Sequence, residues 1–290
     1  MENKEQKDVV LVDIYNIIYR AYHGNMSNLK NPEGIPTAAL YTTIKMLNKL
    51  PQQFSNLEFS LAVFDGGTNF RKELDETYKA NRKEMPDDLK VQLPLIKEAM
   101  QLLGWPMYQT TEEEADDVIS TLALRAAQKG YKVYIISGDK DFRQIVDENI
   151  NVIDTMRDVC YDPAKVLEVM DIKPEKIRDY LALCGDSADN VPGIDKAGPK
   201  TVVKLLNEYG DIEGIIANKE KIKGVVGNNI REAIENGNLL KWRELVTVKT
   251  DVDINLKRSE LTLREPDVEN LTKFYEKMNF KSFLSKMPNP

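Results

Sequence analysis

The sequence contains little of the chemistry on which many enzymes depend. Its 290 residues include one histidine, His23, and two cysteines, Cys160 and Cys184. One histidine excludes a histidine-rich zinc site, and it allows a Ser-His-Asp triad only if His23 is the residue that serves. Neither cysteine has a neighbour at zinc-ligand spacing, so we expect both to be reduced and buried. Catalysis would then depend on carboxylates, lysine, arginine and a metal.

Long apolar runs and a secretory leader are also absent. No run approaches the roughly 18 apolar residues that cross a bilayer, and residues 1–7 contain no apolar stretch. We therefore expect a cytosolic protein with no membrane partner. The hydrophobic content of 42% is enough for a substantial core, in one large domain or two smaller ones.

The net charge of −7 argues at first against a polyanionic partner, because lysine and arginine drive phosphate binding. The total changes if nine acidic residues identified below bind cations, since removing nine from the 47 acids leaves 38 against 40 basic residues. The position of the basic residues then matters more than their sum.

The first 160 residues alternate between apolar runs and amphipathic segments. Strands are predicted over residues 8–13, 59–65, 132–138 and 151–154. Helices are predicted over residues 14–23, 36–50, 88–103 and 113–129. Such alternation is typical of a parallel α/β sheet. From about residue 162 short helices follow, with 246–256 as the one later strand candidate, so we place a soft boundary near residue 160.

Three predicted strands lead to an aspartate. Asp13 and Asp65 directly follow apolar runs, and Asp139 follows the run 133–136 within three residues. Ligands of an open parallel sheet bind beyond the carboxyl ends of its strands, so these acids can meet. Asp139 and Asp141 can point at one location if the extended backbone persists. Helix capping remains the alternative for each acid taken alone.

Two further acidic groups lie outside the strands. Glu114, Asp116 and Asp117 open a predicted helix, and Asp186 and Asp189 stand three residues apart on one face of a turn or helix. Dipole stabilisation of a first helical turn and ordinary loop capping are the alternatives. If the groups converge, like charges about 4 Å apart repel by roughly 4 kcal/mol each at an effective dielectric constant of 20. Such a site requires cations or protons. Oxygen ligands favour Mg²⁺ or Mn²⁺, and two such ions support phosphodiester hydrolysis.

The segment 66–87 interrupts the alternation, because it mixes basic and aromatic residues and contains few aliphatic ones. We interpret it as a projecting arm. A second distinct segment, residues 191–201, precedes an apolar helix. Its glycines permit tight turns and Pro199 suits the first helical position, so the helix start can hold a phosphate without reading a base. A nucleotide-binding P-loop is excluded, because no buried strand runs into Gly193. A plain turn between helices stays open as the alternative.

Together these motifs resemble the flap endonuclease and 5′ nuclease family, most closely the 5′–3′ exonuclease domain of bacterial DNA polymerase I. The resemblance covers nearly the whole chain, with motifs in order at residues 11–13, 20–22, 63–65, 70–71, 78–82, 114–117, 138–141 and 185–193. It implies an α/β fold with a PIN-like, resolvase-like domain, whose mostly parallel sheet has helices on both faces, and a helical C-terminal domain. The implied ranges are 1–160 for the first domain with a helical gateway at about 66–90, and 161–290 for the second with a helix-hairpin-helix at about 185–206.

The family also implies two divalent-metal sites and a path for DNA. The carboxylates that match its metal ligands are Asp13, Asp65, Glu114, Asp116, Asp117, Asp139, Asp141, Asp186 and Asp189. Arg71 and Lys79 would contact the scissile phosphate, and Tyr78 would stack on a base. Arg20 and Arg82 would contact further phosphates. The residues that match the duplex-holding hairpin, in the family often through a bound K⁺, are Gly193, Gly198, Lys200 and Thr201.

The implied function is a structure-selective 5′ nuclease that hydrolyses DNA at single-strand/duplex junctions with two Mg²⁺ or Mn²⁺ ions. Its substrates would be 5′ flaps, nicks and RNA primers, in replication and repair at the bacterial nucleoid. The chain shows no polymerase sequence, so we expect a free-standing nuclease or a fragment of a longer polymerase, with a DNA polymerase in cis or in trans. The alternatives are a non-catalytic junction-binding module and a PIN-like ribonuclease acting on single-stranded RNA. At Ile14-Tyr15-Asn16 the chain departs from bacterial members, which have small residues there, and this bears on substrate preference.

Overall fold

The computed structural model describes residues 6–24, 28–66, 70–110 and 112–287. The strands are β1 (Asp8–Asp13), β2 (Leu57–Phe64), β3 (Met107–Gln109), β4 (Lys132–Ile136), β5 (Ile150–Asp154) and β6 (Val159–Tyr161). The helices before residue 160 are α1 (Ile14–Tyr22), α2 (Ala38–Lys49), α3 (Phe70–Leu74), α4 (Asp87–Lys90), α5 (Leu93–Leu102) and α6 (Ala115–Gln128). Those after it are α7 (Pro163–Met170), α8 (Ile177–Cys184), α9 (Pro199–Tyr209), α10 (Ile212–Ala217), α11 (Gly224–Glu235), α12 (Asn238–Val246), α13 (Val268–Met278) and α14 (Lys281–Leu284).

The strands form one sheet in the order β3-β2-β1-β4-β5-β6. All neighbouring pairs are parallel except β5 and β6. Strand β1 lies in the middle and is apolar along its length because both of its faces are buried. Val10 and Val12 face one core and Val9 and Leu11 the other. The predicted mostly parallel sheet with helices on both faces is confirmed.

The two faces of the sheet carry different helices. Residues of α1, α2 and α5 pack on the face of Val10 and Val12, whereas α6 and the helical region from α8 to α12 pack on the opposite face. This arrangement leaves the carboxyl ends of the parallel strands uncovered between the two layers. A ligand can therefore reach that edge.

The last helices return to the sheet. Leu271, Phe274 and Tyr275 of α13 and Phe283 of α14 lie in the same apolar core as α2 and α5. The range 161–290 is thus not one helical unit, because its final helices complete the core of the first part. The boundary near residue 160 stays a prediction.

Several local predictions differ from the structure. The predicted strand over 246–256 is wrong: α12 ends at Val246, and the extended segment after it joins no sheet in the described part of the chain. Its alternating apolar residues, Val252 and Ile254 among them, instead pack against the core beside α6. The predicted helix 88–103 is two helices, α4 and α5. Cys160 is exposed rather than buried, since it lies on the edge strand β6.

The arm also differs in part from its prediction, and residues 67–69 of it lie outside the described residues. Helix α3 and the turns after it are folded against the protein, because Arg71 and Tyr78 are each only 2% exposed. Residues 81–84 are exposed. Across the described ranges, no helix is both long and apolar enough to cross a membrane.

Candidate metal centre

Aspartates from three adjacent strands meet at the carboxyl edge of the sheet. Asp13 ends β1, Asp65 follows β2, and Asp139 follows β4. Because β1 lies between β2 and β4 and all three run parallel, their ends emerge side by side. Asp65 Oδ1 accepts a hydrogen bond from the Ala115 amide at 3.1 Å, which joins this edge to the start of α6. Helix α6 adds Asp116 to the same cleft. These four acids, Asp13, Asp65, Asp116 and Asp139, are called the strand-end cluster below.

Hydrogen bonds hold the strand-end cluster in place. Ser137 Oγ donates to Asp13 Oδ2 at 2.9 Å and accepts from the Asp139 amide at 3.0 Å. Asn16 Oδ1 accepts from the Gly138 amide at 3.0 Å, which fixes the loop after β4 against α1. Sequence reasoning missed these supporting roles of Asn16 and Ser137, although both lie within three residues of a candidate ligand.

Three acids of this cluster, Asp13, Asp116 and Asp139, have raised pKa values. Burial raises the pKa of Asp13 to about 6, against the opposing hydrogen bond from Ser137. Burial raises the pKa of Asp116 well above its ordinary value, and the charges of Asp139 and Asp13 raise it further. The pKa of Asp139 is also raised, mainly by burial. A cation at this cluster would remove the repulsion.

A second group of acids combines Asp141, which follows β4, with Asp186 and Asp189 on the turn after α8. Single carboxylate oxygens of Asp141, Asp186 and Asp189 all lie within 4.8 Å of one another. Asp186 is held by a pair of backbone hydrogen bonds with Val191, each 2.8 Å long. These three acids are called the hairpin cluster below. Burial, followed by the charges of Asp139 and Asp189, raises the pKa of Asp141 well above its ordinary value.

The residues of both clusters fit divalent cations. Their donors are carboxylate oxygens, with no histidine or thiolate among them, and such donors suit hard ions. Asp141 Oδ1 is buried and has no hydrogen-bond partner among the described residues, so one acceptor is left for a cation. Glu114 lies near both clusters, because Lys79 pairs with it and approaches Asp189.

Basic side chains converge on these acids. The ammonium of Lys79 pairs with Glu114 and lies 3.9 Å from Asp189 Oδ2, while Arg82 Nη2 lies 2.7 Å from Asp189 Oδ1. Lys140 Nζ lies 3.0 Å from Asp186 Oδ1. Burial lowers the pKa of Lys79, but the charges of Glu114 and Asp189 outweigh it and the pKa is raised overall. Lys79 therefore stays protonated between the clusters.

Two predicted site residues face away from the cleft. Arg71 and Asp117 form a two-pronged ion pair, with Nη1 to Oδ2 at 2.7 Å and Nη2 to Oδ1 at 2.8 Å. They are 2% and 0% exposed. This position differs from the expected roles of Arg71 as a phosphate contact and Asp117 as a metal ligand. The reason is helical geometry: adjacent residues of α6 point about 100° apart, so Asp116 faces the cleft and Asp117 does not.

Tyr78 also differs from its expected role as a base-stacking residue. Its ring is buried, and its hydroxyl donates to Asp189 Oδ2 at 2.9 Å and approaches Glu114 Oε2 at 3.2 Å. Burial and the two carboxylates raise the pKa of the hydroxyl. In this conformation Tyr78 supports the acids and offers no free ring face to a base.

An open cleft of about 1060 Å³ extends from the strand-end cluster. Three predicted phosphate contacts line it, Arg20, Lys79 and Arg82. Arg20 donates to Thr155 Oγ1 across the cleft wall. Sequence reasoning missed further lining residues, among them Tyr19, His23, Met156 and Arg157. Tyr19 belongs to α1, which has the pattern of an ordinary amphipathic helix, and Met156 and Arg157 lie after β5, where no motif was identified.

The predicted hairpin lies between α8 and α9. Gly185 and Gly193 have positive φ angles of 81° and 69°, and a Cβ on Gly193 would lie 2.3 Å from the Gly185 nitrogen. Only glycine fits this contact. Gly198 is the N-cap of α9 and Pro199 its first residue, as predicted, so the nearby amides point out of the helix start. Lys200 and Thr201 lie in that first turn. The hairpin that would hold DNA thus also carries Asp186 and Asp189.

Comparison with known proteins agrees with this geometry. The family models "5'-3' exonuclease, N-terminal resolvase-like domain" and "5'-3' exonuclease, C-terminal SAM fold" match residues 8–171 and 172–269. A 5'-3' exonuclease of Aquifex aeolicus (strain VF5) is 37% identical over 282 residues, which cover 97% of this chain and 95% of that protein. DNA polymerase I of Bacillus caldotenax is 34% identical over 98% of this chain, but the match covers 33% of the polymerase. The chain thus spans about a third of its polymerase relatives.

Solved structures of low sequence identity share the fold. The T5 D15 protein co-crystallized with metal ions has a TM-score of 0.68 at 18% identity, with 97% of each chain covered. The catalytic core of Rad2 in complex with DNA substrate has a TM-score of 0.62 at 15% identity, with 99% of this chain and 93% of that chain covered. From the match of both family models and of the full-length exonuclease, this chain belongs to the 5′-3′ exonuclease family of metal-dependent nucleases.

Proposed function

We propose that this nuclease is structure-selective and hydrolyses DNA phosphodiesters at single-strand/duplex junctions, as a flap endonuclease and 5′–3′ exonuclease. Its substrates would be 5′ flaps, nicks and RNA primers, in replication and repair at the bacterial nucleoid. The observation that carries the proposal is the position of Lys79 between two carboxylate clusters at the edge of an open cleft.

The strand-end cluster and the hairpin cluster would each hold one Mg²⁺ or Mn²⁺ ion, with Glu114 near both. When bound, such ions supply an activated water and neutralise charge on the phosphate. We keep Asp117 outside the ligand set, because its oxygens are taken by Arg71 and by the Lys249 amide at 2.7 Å.

The side chains of this protein would do the remaining work. Lys79 is held at the clusters by carboxylates, so it can stabilise charge that develops on a phosphate there. Arg82, whose side chain is half exposed, and Arg20 on the cleft wall would hold the neighbouring phosphates. The hairpin would grip the duplex backbone through the start of α9, with Gly193, Gly198, Lys200 and Thr201, and with a K⁺ ion if one binds.

The polymerase relatives support a DNA polymerase as partner, in cis or in trans. A nuclease and a polymerase that act on the same strand need a common junction: one extends the 3′ end while the other removes the 5′ end.

The test compares matched substrates with purified protein and Mg²⁺: 5′-labelled flap DNA, nicked duplex, an RNA primer on DNA, and unstructured RNA of equal length. We expect products cut at the junction and no cutting of the unstructured RNA. Equal cutting of the RNA would favour a single-strand ribonuclease. Binding of the flap without cutting would favour a non-catalytic junction-binding module. Asp253→Asn, a change at an exposed acid remote from the clusters, serves as the matched control.

A further inference from the structure

The guanidinium of Arg71 joins three separate parts of the chain. It belongs to α3, it binds Asp117 and Glu114 at the start of α6, and it donates to two carbonyl oxygens at the end of α12. The distances are 2.9 Å from Nε to Leu245 O and 2.7 Å from Nη2 to Thr247 O. A guanidinium has five N–H donors, and these contacts engage five acceptor positions. None is left for a phosphate.

Asp117 is equally occupied. Its two oxygens accept two hydrogen bonds from Arg71, and Oδ1 also accepts from the Lys249 amide at 2.7 Å. The Lys249 side chain adds an ion pair with Glu113 at 3.0 Å. The start of α6 is therefore fixed to the segment 245–249 through Asp117 and Glu113. Buried groups that are satisfied in this way define one orientation.

This fixation sets the position of the candidate metal ligands. Asp116 precedes Asp117 on the first turn of α6, so holding Asp117 sets the rotation of the helix and the direction in which Asp116 points. Glu114 is held directly, with Oε2 2.9 Å from Arg71 Nη1. Two of the candidate metal ligands, Glu114 and Asp116, thus depend on one arginine that does not line the cleft.

The contacts of Arg71 with the end of α12 connect it to the hairpin cluster. Helix α12 packs against α8, and the turn that follows α8 carries Asp186 and Asp189. Arg71 and Asp117 hence connect the helix that supplies Asp116 to the helical layer that supplies Asp186 and Asp189 of the hairpin cluster. The distance between the two clusters therefore depends on the ion pair of Arg71 and Asp117.

We propose that Arg71 and Asp117 are positioning residues that set the strand-end cluster and the hairpin cluster relative to each other, and that neither touches DNA or metal. The inference rests on the proposed function, because it assigns a role in the same site. It makes the ion pair, rather than the sheet alone, responsible for a geometry in which both clusters face one phosphate.

The alternatives make different predictions. If Arg71 contacts a phosphate, replacing it by lysine weakens DNA binding, and removing its charge lowers the salt slope of that binding by about 0.9. If the pair only stabilises the fold, an apolar pair of similar size restores activity together with stability. If the pair positions the clusters, turnover and metal affinity fall while DNA binding and its salt slope stay unchanged.

The experiment uses Arg71→Lys, Asp117→Asn, their combination, and the double variant Arg71→Met/Asp117→Leu. Arg82→Ala is the matched control for a phosphate contact. Three quantities are measured: kcat and KM on flap DNA, the salt dependence of flap binding with Ca²⁺ in place of Mg²⁺, and Mn²⁺ affinity of the protein without DNA. Arg71→Lys keeps the charge and is expected to fold, which circular dichroism and melting check.

We expect Arg71→Lys to lower kcat and Mn²⁺ affinity by about 10–100-fold, as loss of a ligand-orienting contact does. KM and flap affinity of Arg71→Lys, and the salt slope of the folded Met/Leu variant, should stay at wild-type values, whereas Arg82→Ala should lose about 0.9 of slope. Arg71→Lys and Asp117→Asn together should lose no more than the worse single change, because they share one interaction. The folded Met/Leu variant should stay slow.

Two results would overturn the inference. One is weaker flap binding by Arg71→Lys, or a loss of salt slope in the folded Met/Leu variant, which lacks the charge of Arg71, with unchanged Mn²⁺ affinity; either would make Arg71 a phosphate contact. The other is wild-type turnover in the folded Met/Leu variant, which would make the pair a matter of stability. If wild type cuts no flap DNA, the proposed function fails by itself, and Mn²⁺ affinity without DNA still decides the positioning role.

Discussion

Lys79 and Asp189 are joined twice: the Lys79 amide donates to the Asp189 carbonyl oxygen at 3.0 Å, and the two side chains lie 3.9 Å apart. Lys79 has a positive φ of 56°, a conformation that is uncommon for a residue with a side chain. The backbone bond therefore holds the lysine in a strained turn with its ammonium at the hairpin cluster. The arm and the hairpin thus contact each other at this pair, although 110 positions separate the two residues in sequence.

The first prediction concerns Lys79. Lys79→Ala should lower kcat on flap DNA by about 10²–10³-fold with a small change in KM, because a charge aimed at the reacting phosphate acts mainly in the transition state. Single-turnover cleavage and binding with Ca²⁺ separate the two effects. Lys83→Ala, at an exposed lysine of the same arm, is the control and should leave kcat near wild type. Equal losses of affinity and rate would mean that Lys79 contributes only a charge for DNA binding.

The second prediction concerns pH without metal. The folded-state pKa of Asp13 is raised to about 6, and those of Asp116 and Asp141 are raised as well. Their unfolded values lie near 3.9. The folded protein thus binds more protons between these values, so its stability should fall as pH rises from about 4 to about 6.

Added Mg²⁺ should reverse this trend, because it binds the ionised acids and stabilises the folded state by mass action, by about 2.7 kcal/mol at 100 times Kd. Melting curves across pH 4–8 in EDTA and in Mg²⁺ measure both effects. Asp141→Asn should raise the melting temperature in EDTA and weaken the response to Mg²⁺. A melting temperature that changes with neither pH nor Mg²⁺ would contradict a preformed acidic site.

The sequence predicts the sheet well and the arm poorly, for physical reasons. Strand β1 is predicted to the residue, because a central parallel strand reads as an uninterrupted apolar run. Strands β3 and β6 were missed, since each has three residues and lies at an edge of the sheet. The buried contacts of Arg71 were not predicted, because its partners, the carbonyls of Leu245 and Thr247, lie more than 170 residues away. No local pattern shows such a pairing.

The third prediction concerns Tyr78. In the structure its hydroxyl donates to Asp189, so Tyr78→Phe should lower the free energy of unfolding by about 1.5–3 kcal/mol, the usual range for a hydrogen bond to a charged group. Urea unfolding measures the loss, with Tyr108→Phe as a control on strand β3. A base-stacking role predicts instead that Tyr78→Phe has wild-type stability and that Tyr78→Ala loses DNA affinity.

The fourth prediction compares two glycines of the hairpin. Gly193→Ala should lower stability by more than about 2 kcal/mol, because φ is 69° and the added Cβ would lie 2.3 Å from the Gly185 nitrogen. Gly198→Ala should cost only about 0.5–1 kcal/mol, since φ is −71° and no atom lies within 4 Å of the added Cβ. Denaturant unfolding of both variants checks the difference. Similar losses in the two would mean that the hairpin packs differently.

The central claim is that the strand-end cluster and the hairpin cluster form one catalytic centre. Single-turnover cleavage of a 5′-flap substrate with Mg²⁺ tests it most directly, in wild type, Asp139→Asn and Asp186→Asn. We predict that either change lowers the cleavage rate at least about 10²-fold while flap binding in Ca²⁺ and folding are retained, because each removes a cation-binding carboxylate. Wild-type cleavage by either folded variant would contradict the account.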